Sequence, residues 1–149
     1  MSTEYFEDLQ LHQIYQSRKY HLVETDIIEF ASQWDPQPFH LDPEVAKETK
    51  LGGICTSGIH LIAICGKLMG ERKSKVAFVA GAGFEKVQFL APARPGDNLV
   101  MEIETTAKRE PKSDPNSGIA KFSTRLLNQQ GEVVLAMESN LLVAKRPKL

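Results

Sequence analysis

The first clear hydrophobic pattern in the chain is that of an amphipathic helix. Ile27, Phe30, Ala31 and Trp34 recur at i, i+3, i+4 and i+7, which places them on one helical face. Thr25, just before this pattern, is a residue type that caps helices. We therefore expect a helix that starts at Thr25, ends near Trp34 and turns the Trp34 ring into the core.

A second stretch, residues 57–69, is apolar on nearly every side, which is typical of a helix that is buried all round. Between the two helices, Asp42 followed by Pro43 is the usual start of a short helix, because proline is tolerated at the first helical position. That short helix is expected to end before Gly52 and Gly53. Two adjacent glycines permit a sharp reversal of the chain.

Most of the remaining chain is rich in β-branched and aromatic residues, in stretches separated by turn residues. The predicted strands are residues 14–23, 75–82, 84–89, 98–108, 119–128 and 132–144. Helices early and strands late predict an α+β fold with an antiparallel sheet. The apolar side chains of the long helix must be shielded from water, so we expect that sheet to wrap around it.

The segment between the first two helices contains an acid and a histidine five residues apart. Pro36 and Pro38 lie between Asp35 and His40, and each proline keeps the preceding residue out of the helical region. We expect a stiff, non-helical turn in which Asp35 and Gln37 are extended or in the bridge region. Such a turn can hold a carboxylate and an imidazole toward one point, as acid–base chemistry requires.

The start of the long apolar helix offers backbone amides as candidate hydrogen-bond donors. Thr56, Ser57 and Gly58 precede its apolar run, and amide groups at a helix start have no partner within the helix. Such amides bind developing negative charge. Ser57 is expected to cap this helix. A serine nucleophile is not indicated, because the G-x-S-x-G motif is absent from the sequence.

Composition narrows the class of protein without naming a function. The 149 residues, 42% hydrophobic and 25% charged, predict one globular domain over residues 1–149, with a loosely ordered start at 1–10 and a solvated basic tail at 145–149. A net charge of −1 gives no electrostatic reason to expect nucleic acid or an anionic membrane as partner. Without a signal sequence, and with Cys55 and Cys65 interpreted as packing residues, we expect a cytoplasmic protein.

The Asp35 segment also resembles a known family. The run D-P-Q-P-F-H-L-D-P, followed by a glycine that opens an apolar helix, is similar to the signature of the MaoC-like dehydratases, Asp-x-Asn-Pro-x-His. Asp35, Pro38 and His40 match it, whereas Gln37 replaces the usual Asn and Ser57 replaces a frequent His. The resemblance extends from Leu11 to Ala144 and includes F-E-K-V-Q-F-L-A-P-A-R-P-G-D, which resembles the family's strand and its Pro-Gly-Asp turn.

The resemblance implies a hot-dog fold and an activity in fatty acid metabolism. Members such as the (R)-specific enoyl-CoA hydratases add water reversibly to trans-2-enoyl thioesters. By this resemblance Asp35 and His40 form the catalytic pair, and the Gly58 amide is the oxyanion donor. No metal or redox cofactor is implied, since CoA or acyl carrier protein belongs to the substrate.

The resemblance also implies a substrate site and an assembly. The residues expected to contact substrate are Gln37, Pro38, Phe39, Ser57, Gly81, Ala82 and Gly83. The last three resemble the strand beside the pantetheine arm, where small residues permit close approach. Single-domain members pair their sheets, so we expect a homodimer that binds acyl-CoA. An unpaired sheet edge gives an independent reason to pair.

Two other functions remain open from the sequence. An acyl-CoA thioesterase can share the hot-dog fold, but such enzymes place an acid on or opposite the central helix. Residues 57–69 contain no Asp or Glu. A non-catalytic module that binds acyl thioesters is the second alternative, and the presence of both Asp35 and His40 argues against it.

Overall fold

The computed structural model describes residues 2–149. The helices are α1 (Glu24–Trp34), α2 (Pro38–Leu41), α3 (Pro43–Lys47) and α4 (Gly58–Gly70). The strands are β1 (Ser2–Glu4), β2 (Ile14–Gln16), β3 (Tyr20–His21), β4 (Ser74–Val76), β5 (Phe78–Phe89), β6 (Asn98–Arg109), β7 (Ser117–Leu127) and β8 (Val133–Ala144). The predicted order of early helices and late strands is confirmed.

One antiparallel sheet dominates the fold. Its strand order is β2-β6-β7-β8-β5, with β3 also pairing with β6. Helix α4 lies against this sheet, and Leu61, Ile64 and Leu68 share one core with Met101 of β6 and Phe122 of β7. The predicted α+β arrangement, in which a sheet wraps a long apolar helix, is confirmed.

Helix α4 is not buried all round within one chain, contrary to the expectation from its sequence. Leu61, Ile64 and Leu68 are almost fully buried, but Ile59 on the opposite side is 53% exposed. The small residue Gly66 is exposed as well. A single sheet covers only one side of a helix, so an apolar surface remains on the other side.

Helix α1 follows its predicted face in part. Ile27 and Ala31 are fully buried, but Trp34 is 67% exposed. Trp34 is the last residue of α1, at the point where the chain turns away and the core beneath the helix ends. The expectation that Trp34 fills the core is therefore wrong. Thr25 is not the cap either, because α1 begins at Glu24 and Val23 occupies the N-cap position.

Three predicted strands are divided differently in the structure. The stretch 14–23 forms two short strands, β2 and β3, which both pair with β6. The stretches 75–82 and 84–89 instead form short β4 and the twelve-residue β5. Gly83 does not interrupt β5, because its φ of +154° lies within a bulged pairing with β8. Glycine accepts that backbone geometry without strain.

The two ends of the chain are held more firmly than their composition indicates. Strand β1 pairs in parallel with β4, and Phe6 is buried against the core. In the basic tail, Arg146 donates to the Asp8 carboxylate at 2.6 Å, and Lys145 is paired with Glu110. Residues 2–8 thus contact both the core and the basic tail. Among residues 2–149, no helix combines the length and the apolarity needed to cross a membrane.

Candidate functional site

The proline-rich segment joins α1 to α2 through one extended stretch. Asp35 ends α1, with its N–H donating to the Ala31 carbonyl at 2.9 Å, and its φ/ψ of −157°/70° is outside the helical region. Gln37 is extended, at −79°/139°. The prediction for Gln37 is confirmed, and Asp35 is non-helical as predicted, although its ψ of 70° is not that of an extended strand. The chain after Pro38 is helical, however, because proline restricts the residue before it and suits the first position of a helix.

This backbone brings the Asp35 carboxylate and the His40 imidazole to one point. Oδ2 of Asp35 lies 3.5 Å from Nε2 of His40. The His40 side chain is only 8% exposed, whereas the Asp35 side chain is 23% exposed. A separation of 3.5 Å is longer than an ordinary hydrogen bond, so both atoms keep the capacity to bind a shared water molecule.

A contact on the other side of the imidazole determines its tautomer. Nδ1 of His40 lies 2.7 Å from the carbonyl oxygen of Cys55. A carbonyl oxygen only accepts hydrogen bonds, so Nδ1 carries the proton. In the neutral ring, Nε2 is then the unprotonated nitrogen and faces Asp35. This arrangement prepares Nε2 to accept a proton.

Ser57 holds the carboxylate of the pair. Its hydroxyl donates a hydrogen bond of 2.6 Å to Oδ2 of Asp35, and the residue is fully buried. Ser57 does occupy the N-cap position of α4, as expected, but its side chain makes no capping hydrogen bond. The sequence contains no local signal for this contact, because 22 residues separate the two partners.

Gly58 is the first residue of α4, so its amide has no acceptor within the helix. The ring of Phe89, at the end of β5, packs directly on it. A Cβ added at Gly58 would lie 2.5 Å from Cζ of Phe89. Glycine is therefore required for this close approach, and a bulkier residue would have to displace the ring.

The expected substrate-binding residues fall into two groups. Gln37 and Pro38 are exposed at the start of α2, and the Phe39 ring makes an edge contact with the His40 ring at 4.5 Å between centroids. The glycine-rich group, residues 81–83, lies elsewhere on β5. Six residues of strand separate Gly83 from Phe89, or about 20 Å. Within one chain, this group is therefore remote from Asp35 and His40.

Both cysteines are free and buried, in agreement with the packing role expected for them. Burial raises the pKa of the Cys55 thiol, while the nearby charge of Arg94 acts in the opposite direction. Burial also raises the pKa of Cys65, to about 12. A protonated thiol is a poor nucleophile. The contribution of Cys55 to the site comes from its carbonyl oxygen, which no sequence pattern indicated.

An apolar groove of about 170 Å³ lies farther along α4, between this helix and the sheet. Ile62, Cys65 and Met69 line it from the helix, and Phe84 and Met137 line it from the sheet. The three helix residues follow Gly58 by four, seven and eleven positions, so they lie on the same helical face as Gly58. The groove thus begins about 6 Å from Gly58 along the helix axis.

Comparison with known protein families gives a match over most of the chain. The family model described as a MaoC like domain matches residues 9–124. An (R)-specific enoyl-CoA hydratase from Aeromonas caviae is 30% identical over 106 residues, which cover 70% of this chain and 73% of the hydratase. The relatedness thus includes the Asp35 segment and α4.

Solved structures extend the likeness to the whole fold. A MaoC-like dehydratase from Rhodospirillum rubrum superposes with a TM-score of 0.91 at 35% identity, covering 97% of this chain and 99% of that chain. The (R)-hydratase from A. caviae involved in PHA biosynthesis superposes with a TM-score of 0.74 at 25% identity, covering 95% and 99%. The chain belongs to the MaoC-like dehydratase family and adopts its hot-dog fold.

Proposed function

We propose that the protein is an (R)-specific enoyl-CoA hydratase, which adds water reversibly to a trans-2-enoyl thioester and equally removes it from a 3-hydroxyacyl thioester. The observation that carries this proposal is the convergence of Asp35 Oδ2 and His40 Nε2, 3.5 Å apart, close to the start of α4. The similarity to the hydratase from Aeromonas caviae supports the same reaction.

In the proposed mechanism, Asp35 and His40 bind one water molecule between them. Nε2 of His40 is the unprotonated nitrogen, because Nδ1 donates to the Cys55 carbonyl. The pair removes a proton from the water as its oxygen attacks the β-carbon of the enoyl group. The same pair then returns a proton to the α-carbon, on the same face of the substrate, so the addition is syn.

The negative charge that develops on the thioester oxygen needs a donor. The Gly58 amide has no helical acceptor and lies at the positive end of α4. Loss of one oxyanion donor commonly costs about a hundredfold to a thousandfold in rate. We assign this role to Gly58, with the thioester carbonyl placed beside the Phe89 ring.

The groove along α4 suits the acyl chain of such a substrate. Its lining is almost entirely apolar, and its volume of about 170 Å³ is close to that of an engineered 150 Å³ cavity that holds a benzene molecule. The acyl chain would lie along the Ile62–Met69 face of α4, with the CoA or acyl carrier group left outside. This geometry supports an acyl thioester as the substrate class.

We further propose a homodimer formed through β5. This strand lies at the edge of the sheet and exposes apolar side chains, among them Val79 and Phe84, at 56% and 59%. An unpaired apolar edge favours pairing with another strand. In such a dimer the glycine-rich residues 81–83, which are remote from the pair in their own chain, would lie beside the partner's site.

The test is hydration of crotonyl-CoA, followed by loss of absorbance of the conjugated thioester. Wild type is compared with Asp35→Asn and His40→Gln, and with Asp114→Asn and His21→Gln as controls that make the same changes away from the site. We expect both site variants to lose about a hundredfold to ten-thousandfold in kcat, with the controls unaffected. Chiral analysis should show an (R)-3-hydroxybutyryl product.

Two outcomes would replace the proposal. Release of free CoA without hydration would indicate a thioesterase on the same fold. Binding of acyl-CoA without turnover of crotonyl-CoA, or of longer and branched enoyl-CoAs, would indicate a binding module. Full activity in both site variants would exclude the catalytic pair assigned here.

A further inference from the structure

The loop that connects α3 to α4 controls the His40 ring. Cys55, in this loop, accepts the Nδ1 proton of His40 through its carbonyl oxygen at 2.7 Å. The Cys55 Sγ atom lies 3.9 Å from the same nitrogen and is a weak acceptor. A displacement of the loop would therefore exchange a strong acceptor for a weak one. The imidazole tautomer depends on where the loop is held.

Hydrogen bonds within the loop join Thr49 to Leu51 and Gly52, but none of those found among the described residues holds residues 53–57 to the rest of the loop. It has no helix or strand between Lys47 and Gly58, and Gly52 adopts a φ of +69° beside a second glycine, Gly53. Glycines increase the conformational freedom of a chain, so ordering this segment carries a high entropic cost. Contacts from outside the loop must therefore fix its position.

Arg94 supplies three of these contacts. Its Nη1 donates to the Gly53 carbonyl at 2.8 Å and to the Ile54 carbonyl at 3.4 Å. Its Nη2 donates to the Leu51 carbonyl. One planar guanidinium thus binds three carbonyl groups within four residues of Cys55. Hydrogen bonds from a charged donor are stronger than those between neutral groups.

Hydrogen bonds also hold the backbone around Arg94 in place. Its backbone N–H donates to Oδ2 of Asp97 at 2.8 Å, and Oδ1 of Asp97 accepts from Gln129 at 3.1 Å. The neighbouring Ala93 carbonyl accepts from the Thr56 N–H at 2.9 Å, one residue beyond Cys55. The turn after β5 and the loop before α4 are therefore joined by both backbone and side chain.

We propose that Arg94 is a positioning residue for the reaction. By binding the carbonyls of Leu51, Gly53 and Ile54, it holds the Cys55 carbonyl on Nδ1 of His40 and so keeps Nε2 unprotonated toward Asp35. Arg94 touches none of the reacting atoms in this scheme. The consequence for catalysis rests on the proposed role of His40, but the effect on the tautomer does not.

The experiment compares wild type with Arg94→Ala and Arg94→Lys. Arg125→Ala is the matched control, because Arg125 makes an exposed ion pair with Glu102. ¹⁵N NMR of the histidine side chains, with His40 assigned by comparison with His40→Gln, reports the tautomer of the neutral ring. We expect the Nδ1–H form in wild type and in the control, and a mixture with the Nε2–H form in Arg94→Ala.

Kinetics give the second readout. Misplacement of a catalytic group commonly costs on the order of a hundredfold, so we expect Arg94→Ala to lower kcat by about that factor, with a much smaller change in KM. Arg94→Lys should be intermediate, because one ammonium cannot bind three carbonyls as a planar fork does. Added guanidinium ion should partly restore both kcat and the Nδ1–H signal of Arg94→Ala.

Several results would overturn the inference. An Nε2–H tautomer in wild type would do so, as would an unchanged Nδ1–H tautomer in a folded Arg94→Ala. If Arg94→Ala does not fold, a wild-type tautomer ratio in Arg94→Lys counts against the inference in the same way. The NMR measurement tests the role of Arg94 even if wild type has no hydratase activity. The activity of wild type tests the proposed function, so failure of one proposal is distinguished from failure of the other.

Discussion

The hydroxyl of Ser57 donates a 2.6 Å hydrogen bond to Oδ2 of Asp35, the same oxygen that faces Nε2 of His40. This bond fixes the orientation of the carboxylate, because a hydroxyl donor at this distance leaves the oxygen little freedom to rotate. Ser57 is fully buried, so water does not replace the hydroxyl without rearrangement. The geometry of the Asp35–His40 pair thus depends on a third side chain from the start of α4.

We predict that Ser57→Ala lowers kcat/KM for crotonyl-CoA by about ten- to a hundredfold, because a hydrogen bond to a charged group is worth about 1.5–3 kcal/mol. Steady-state kinetics measures the effect, and Ser117→Ala is a control at another buried serine. Equal activity in Ser57→Ala and Ser117→Ala would mean that Asp35 needs no orientation by Ser57.

We predict that Gly66→Leu narrows the range of accepted acyl chains. Gly66 lines the groove and a Cβ there meets no atom within 4 Å, so we expect a leucine side chain to take up part of the groove. We expect kcat/KM for octenoyl-CoA to fall about tenfold relative to that for crotonyl-CoA, whose short chain ends before the groove. Ala63→Leu, on the exposed side of α4, is the control. A uniform loss with both substrates would place the acyl chain elsewhere.

We predict that His60 makes the fold sensitive to acid. The ring is buried and stacks on Phe30 at 4.3 Å between centroids, and among the described residues its Nδ1 has no hydrogen-bond partner. Burial lowers the pKa of His60 below its usual 6.5, while the Asp26 charge acts in the opposite direction. As the pH falls through 6.5, the unfolded chain takes up a proton that the folded chain does not.

The free energy of unfolding should therefore decrease below pH 6.5, by at most about 1.4 kcal/mol per pH unit from this residue. It should level off below the lowered pKa of His60. His60→Phe keeps the stacking on Phe30 and should reduce this slope in urea unfolding on either side of pH 6.5. His21→Phe, at an exposed histidine, is the control. Identical slopes in wild type and His60→Phe would contradict the assignment.

We predict that a charge on the β5 edge weakens the homodimer that we propose to form through this strand. Val79→Lys places an ammonium on this exposed strand, and an edge lysine opposes strand pairing. Ile14→Lys makes a similar change on β2, at the opposite edge of the same sheet, where Ile14 is 55% exposed. Analytical ultracentrifugation should show a raised dissociation constant for Val79→Lys alone. An equal effect of both substitutions would indicate a different interface.

Local patterns predicted the features that depend on neighbouring residues. The start of α3 follows from Asp42 and Pro43, and the Asp42 side chain does accept from the Glu44 and Val45 amides. The non-helical conformation of Asp35 and the extended conformation of Gln37 follow from the prolines after them. The family and the hot-dog fold were recognisable because those short patterns occur in a characteristic order.

Features that depend on distant contacts were not predictable in this way. Trp34 lies on the apolar face of α1, but its exposure depends on where the core ends, which no local period reveals. The Ser57–Asp35 bond, the Cys55 carbonyl on His40 and the Arg94 contacts join residues between 15 and 43 positions apart. Their partners are determined by the packing of the loop before α4.

The residues of the proposed reaction and the residues of the groove lie in different parts of the chain, and this separation affects how such proteins can diversify. Asp35, His40, Ser57 and Gly58 occupy a single stretch of 24 residues, whereas most of the sheet residues that line the groove come from β5 to β8. Exchange of the C-terminal strands between relatives should transfer the preference for acyl chains and leave the water-adding chemistry with the N-terminal part. Arg94 follows β5 and binds the loop before α4, so exchanged strands must keep an arginine that fits this loop.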